Sequence, residues 1–205
     1  MTYSREELSP FLAELSLTGP IDPFFVFADW LLDRGDRWGE LINFECRLEV
    51  EQDPLKLGEL RAARWGRVSA LAQEVCPHAR PPIGIAWKRG FIRLISIDDA
   101  ASPQWLGDEL ARILGAPMSA LCPELSLAGS DLGEEHVQAL LRVRDHLIRL
   151  PVLDLSYNWF SDATVAAFRE VFPRARLTPQ RTRDAQDGEI AAPFGNSWAG
   201  PSSDE

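Results

Sequence analysis

Residues Leu150-Pro-Val-Leu153-Asp-Leu155-Ser-Tyr-Asn158-Trp-Phe160 decide how this chain is read. Apolar side chains at Leu150, Leu153, Leu155 and Phe160, with an asparagine at Asn158, fill every key position of the pattern L-x-x-L-x-L-x-x-N-x-L. The alternation Leu153-Asp154-Leu155 is that of a strand with one buried face. Twenty-eight residues earlier stands Cys122-Pro-Glu-Leu125-Ser-Leu127-Ala-Gly-Ser130-Asp-Leu132. Thirty residues before that is Ile92-Arg-Leu-Ile95-Ser-Ile97-Asp-Asp-Ala100. The match weakens toward the N-terminus, as it does where terminal units act as caps.

Helical segments separate the three matches: Gln104 to Leu114, Gly133 to Arg149, and Asp162 to Phe172, the last with Ser161 as N-cap. A strand followed by a helix, at a period of 28 to 30 residues, is the pattern of a long, α-helical leucine-rich repeat. The predicted fold class is therefore α/β, with a short stack of about three repeats over residues 84–178. Its strands are parallel and inside, because each crossover passes through an outer helix. Leu125, Leu127, Leu153 and Leu155 are expected to stack between strands and helices, with Ile95 continuing the row. Asn158 is expected where the chain leaves the strand, donating to and accepting from backbone groups of neighbouring turns. Ser130 would do this in part and Ala100 not at all. Arg174 to Leu177 reads as a short closing strand.

Working toward the N-terminus, residues 1–83 read as an all-helical domain that caps the stack. Ser4 and Glu7 have capping-box spacing, and Leu8, Phe11, Leu12 and Leu15 follow at helical intervals until Gly19-Pro20. A second helix runs from Asp22 or Pro23 to Arg34, with Phe24, Phe27, Trp30 and Leu31 inward. A third runs from Arg37 to Glu51, and a fourth from Pro54 to Val75 with Leu57, Leu60, Trp65, Val68 and Leu71 as its apolar stripe. Residues 76–83 read as a proline-rich connector, and the first strand begins at Phe91. Residues 179–205 hold no Leu or Val and are read as a disordered tail, in which Phe194 and Trp198 offer a short docking motif.

Composition narrows the function. The chain carries 31 acidic and 21 basic residues, a net charge of -10. Phosphate contacts dominate nucleic-acid affinity, so this balance points away from a nucleic-acid partner and toward a basic one. Three scattered cysteines read as reduced thiols, and the longest apolar run, Pro23 to Leu32, is broken by Asp29. The expectation is a cytoplasmic protein with no membrane partner.

The stretch Ala28-Asp29-Trp30-Leu31-Leu-Asp33-Arg-Gly35-Asp36 resembles the A-D-W-L-x-x-x-G-D signature of the bacterial repeat-companion domain. Trp87-x-Arg89-Gly90-Phe91-Ile92 resembles the junction where that domain passes into leucine-rich repeats. The resemblance runs from about Leu8 to Leu177 and implies the same domain order, with no implied activity.

No constellation of residues demands catalysis. Asp29, Asp33 and Asp36 could serve a metal-dependent enzyme, but their bland reading is pairing with Arg34, Arg37 or a helix N-terminus. Cys76 and His78 are too few for a zinc site. Cys122, His136 and Asp154 form a catalytic set only on paper, since Cys122 holds a buried leucine position. No phosphate loop is present. The expectation is a non-catalytic protein–protein interaction scaffold with no cofactor and no metal. Its candidate partner-binding residues are Ser96, Ser126 and Asp154 on the outward strand face, flanked by Asp98, Glu124, Ser156 and Tyr157. A narrower alternative is an acidic immunity or antitoxin protein that neutralises a basic toxin.

Overall fold

A computed structural model describes residues 3–75 and 83–181 of the chain, a mixed α/β protein. Helix α1 (Arg5–Leu12) opens on the expected capping box: Glu7 N donates to Ser4 Oγ at 3.2 Å, and Ser4 N donates to the Glu7 carboxylate at 2.9 Å. It stops at Leu12 rather than Gly19, yet Leu15 and Leu17 remain buried in the loop that follows. Helices α2 (Asp22–Leu32) and α3 (Arg37–Val50) pack closely, because Gly39 lets α3 approach the Ala28 carbonyl. Trp30 is a correction to the expected core. It is half-buried at the margin, stacked on Phe27 and tilted against Tyr3 and Phe11, with the Arg34 guanidinium 3.9 Å from its ring centre.

Helix α4 (Pro54–Val75) corrects a second expectation. Leu71 is buried and Leu57, Leu60 and Val68 are half-buried, but Trp65 is 74% exposed. One residue along the helix turns a side chain by about 100°. The inward position belongs to Arg64, whose Nε donates to Glu45 at 2.8 Å.

A strand that the sequence reading missed, β1 (Ile83–Lys88), pairs antiparallel with β2 (Phe91–Ile97). The two-residue turn Arg89-Gly90 has left-handed φ at both positions, 53° and 76°, as a type I′ hairpin turn requires. A register shift between Ala86 and Trp87 leaves Arg93 exposed without a partner across the ladder.

This hairpin joins the helices to the sheet. Phe91 is fully buried, with its ring centre 5.1 Å from Trp38, 5.8 Å from Phe24 and 6.1 Å from Phe27. Trp38 Nε1 donates to Gly90 O at 2.7 Å. The buried Arg89 guanidinium pairs with Glu49 and donates to the carbonyls of Gly19 at 2.9 Å and Ser16 at 3.2 Å. One cation therefore satisfies the α1–α2 loop, α3 and the hairpin turn together.

From β2 onward the order is α5 (Pro103–Gly115), β3 (Glu124–Ser126), α6 (Val137–Arg142), α7 (Arg144–Leu147), β4 (Val152–Asp154) and α8 (Asp162–Val171). The expected helix Gly133 to Arg149 is divided at Val143, whose backbone (φ -102°, ψ 14°) leaves the helical region. Strands β2, β3 and β4 lie side by side and parallel. Ile95, Leu125 and Leu153 share one register row and are at most 2% exposed. Leu127 and Leu155 are fully buried beyond them. A single connected core runs from Leu8 in α1 to Leu177, so the helices and the sheet bury one continuous apolar interior.

At the far end, Asp154 and Arg176 form a parallel bridge, with Leu155 N to Arg176 O and Arg176 N to Leu153 O both at 2.8 Å. Residues 179–181, expected as the start of a disordered tail, instead continue along this edge. Tyr157 N donates to Pro179 O at 2.5 Å and Arg181 N to Asn158 O at 2.7 Å. The rest of the expected tail, and the connector holding Cys76 and His78, lie outside the described residues. Among the described residues no helix is long and apolar enough to cross a membrane.

Candidate interaction surface

Asn158 is fully buried and uses its whole amide. Its Nδ2 donates to Leu127 O at 2.8 Å, Leu155 O at 3.0 Å and, less well, Ser156 O at 3.2 Å; its Oδ1 accepts from Leu132 N at 3.0 Å. One side chain thus binds the turn after β3 to the turn after β4. Ser130, 1% exposed, donates only to Ile97 O, and Ala100 contributes its backbone N–H to Ser130 O at 3.4 Å. Gln180, which the sequence reading assigned to the tail, extends the same ladder. Its Oε1 accepts from Asn158 N at 3.1 Å, and its Nε2 donates to Leu155 O at 2.9 Å and to Leu177 O.

These turns fix the sheet face opposite the core. Ser96, Ser126 and Asp154 form one register row and Leu94, Glu124 and Val152 the next, all half-buried. Four of the seven predicted partner-binding residues therefore share a face, with Leu94 and Val152 added as apolar members. Asp98 is exposed just beyond β2, and Tyr157 is half-buried in a left-handed conformation (φ 57°) beyond β4. Ser156 is a correction. It is 5% exposed, and its hydroxyl donates to Asp154 Oδ1 at 2.6 Å, so it turns toward Asp154 rather than outward. Asp154 also lies 3.8 Å from the Arg176 guanidinium.

A second surface forms where the chain leaves β3, β4 and the closing bridge. The loops at 131–135, 159–162 and 178–181 enclose a groove of about 1000 Å³. Four carboxylates line it: Asp131, Glu134, Glu135 and Asp162, against Arg169 and Arg181. Its wall already holds a cation. The Arg181 guanidinium pairs with Asp131 and lies 5.5 Å from the Trp159 ring centre, while Trp159 Nε1 donates to Asp131 Oδ1 at 3.2 Å. An aromatic face beside a carboxylate is a favourable seat for a guanidinium.

Glu134 ties two loops of the groove together. Its carboxylate accepts from Ser161 N at 2.8 Å and from the Thr164 hydroxyl at 2.5 Å, completing the N-terminus of α8 alongside the Ser161 cap. The Thr164 hydroxyl and then the Ser161 N–H hold this carboxyl below its ordinary value of 4.5. A depressed folded value means stability that is present above the ordinary value and lost as pH falls through the folded one. The Glu134→Gln variant is therefore expected to lose less of its melting temperature than wild type between about pH 5 and pH 3. Parallel acid limbs in calorimetry would remove this role from Glu134.

Of the other titratable groups of the sequence reading, Asp36, Cys122 and His136 are engaged or withdrawn. Asp36 caps α3 through Trp38 N at 2.8 Å and accepts from Tyr3 OH at 2.7 Å, while Asp29 and Asp33 are exposed. Cys122 is buried, its thiol pushed up to about 11 by burial and donating to Glu124 O at 3.4 Å. His136 is buried with Nδ1 accepting from Gly133 N at 3.1 Å. Among the described residues no group of three or more His, Cys, Asp or Glu side chains is placed to hold a metal ion.

No model of a known family matches the chain, and neither a curated protein nor a solved structure matches it.

Proposed function

We propose that the protein is a non-catalytic interaction module of leucine-rich-repeat type, with a repeat-companion helical domain as its cap, and that it binds a basic segment of a protein partner. The observation that carries this reading is the acidic groove with Arg181 lodged against Trp159 and Asp131, because it displays the chemistry of an arginine seat. Three in-register parallel strands support the repeat reading, since they place equivalent residues on one open face. Glu124 and Asp154 on that face carry the same sign as the groove, so a long-range field steers positive partners to both. An immunity or antitoxin role is the narrower form of this proposal, favoured by the same acidic groove.

The test is anisotropy of a fluorescein-labelled peptide of alternating Arg and Ser, titrated with the full chain at low ionic strength. Replacing Glu135 and Asp162 by Lys together is expected to weaken binding about tenfold or more, the loss produced by opposing like charges. Replacing the exposed Glu6 by Lys in α1 is expected to leave it unchanged. Equal affinity for all three proteins, or for an acidic peptide of the same length, would contradict the proposal.

A further inference from the structure

The charge of this protein reverses along the chain. Residues 83–141 hold eight carboxylates and four basic side chains, whereas residues 142–181 hold seven arginines and four carboxylates. Three of these arginines, Arg142, Arg144 and Arg149, stand in α6, α7 and the turn before β4, and the other four, Arg169, Arg174, Arg176 and Arg181, in α8 and the closing segment, at the end of the sheet remote from the hairpin. At this end a hollow of about 410 Å³ lies between α7, the C-terminal end of α8 and the segment 173–175. Its wall is apolar, with Leu147, Val171, Phe172 and Pro173, and Ile148 stands 44% exposed in it. Arg144 and Arg174 line it as well, both exposed, and Glu170 is its one lining carboxylate among the described residues. Among those residues neither Arg144 nor Arg174 has a carboxylate within 4.0 Å.

We infer that this terminal face docks an acidic segment of a partner protein, with an apolar side chain of that segment seated in the hollow between Arg144 and Arg174. The inference does not rest on the acidic groove and concerns a surface of the opposite sign. Ile148 and Pro173, exposed over the buried Leu147 and Phe172 and bordered by arginines with no carboxylate partner among the described residues, give the composition of a binding patch, where arginine is enriched and Lys, Glu and Asp are depleted. Guanidinium groups take carboxylates in bidentate fashion, which gives orientation as well as attraction. The hollow has room for one large aliphatic or aromatic side chain, so the apolar anchor confers selectivity that charge alone does not. A basic partner is excluded at this face by the same arginines that attract an acidic one.

The experiment uses the full chain and a fluorescein-labelled peptide of Asp and Glu residues around a single Phe, followed by anisotropy at low salt. Arg144→Glu with Arg174→Glu is expected to weaken binding about tenfold or more, while Arg61→Glu on α4 leaves it within about twofold. Ile148→Ser, which leaves the charges in place, is expected to weaken the Phe peptide and to leave a Phe→Ser version of the peptide unaffected. Melting curves of all variants establish that they are folded. Binding that survives both the charge reversal and Ile148→Ser overturns the inference. A several-fold gain in peptide affinity on converting Asp184, Asp187 and Glu189 to Asn, Asn and Gln also overturns it, because the chain's own acidic residues would then be the occupant.

Discussion

Replacing Gly90 by Ala is expected to destabilise the protein by about 2–5 kcal/mol, from left-handed strain on a side-chain-bearing residue plus overpacking. Gly90 sits at φ 76°, and a Cβ there would stand 2.4 Å from Ile42 Cγ1, 2.9 Å from Ile42 Cα and 3.0 Å from Ile42 N. The Ile42 side chain can rotate, but its backbone belongs to α3 and cannot yield without loosening the Trp38 to Gly90 hydrogen bond. Gly66 on α4 is the internal control, since nothing lies within 4 Å of an added Cβ there. Gly66→Ala should instead stabilise by about 0.5–1 kcal/mol through helix propensity. Urea denaturation of both variants checks the pair. A Gly90→Ala loss within the ±0.5 kcal/mol usual for surface substitutions would mean that the hairpin turn does not dock against α3 as described.

The second large effect belongs to Leu155. Truncation to Ala removes a fully buried side chain just beyond β4 and is expected to cost about 2–5 kcal/mol. Asn158→Ala, three residues on, is expected to cost about 1–3 kcal/mol, because it strands the Leu127 carbonyl and the Leu132 N–H and leaves the Leu155 carbonyl to Gln180 alone. The two sites share the Leu155 carbonyl, so their effects should not add. A denaturant midpoint unmoved by Asn158→Ala would contradict the cross-strand ladder, whatever Leu155→Ala does.

The three parallel strands were legible in the residues. Leucine spacing placed Leu125 and Leu153 in neighbouring strands, and the single asparagine of the pattern marked where the turns are joined. Period and chemistry spoke together there, because burial of an amide needs partners at fixed positions. The hairpin was less legible. Ile83-Gly-Ile-Ala-Trp-Lys88 carries a glycine, follows a run of prolines and lacks a clean polar alternation. Its turn residues, Arg89-Gly90, signalled the left-handed backbone only at the glycine. Gln180 escaped because it stands 22 residues after Asn158, off the 28-to-30-residue spacing of the sequence pattern, in a stretch without Leu or Val. Its role comes from reaching back, which no local pattern records.

The candidate surfaces were legible in part for a related reason. Strand alternation placed Ser96, Glu124, Ser126 and Asp154 on one face, but it also placed Ser156 outward, where the turn after β4 redirects it to Asp154. The groove is built from loop residues, Asp131, Glu134, Trp159 and Arg181, whose meeting depends on how successive turns are stacked. On α4 the sequence reading put Trp65 in the apolar stripe with Leu57, Leu60, Val68 and Leu71, and nothing in the helical periodicity marked Arg64 as the inward residue. Helix α3 decided it, because Glu45 offers a carboxylate to Arg64.

Methyl-directed nuclear Overhauser spectroscopy on the full chain, with labelled Ile and Leu methyls, tests the account where it is most exposed. The structure predicts cross-peaks from Ile95 to Leu125 and from Leu125 to Leu153, since the three residues occupy adjacent parallel strands in one buried row. Absence of either contact, with the methyl resonances assigned and sharp, would contradict the parallel register on which the strand face and the acidic groove stand.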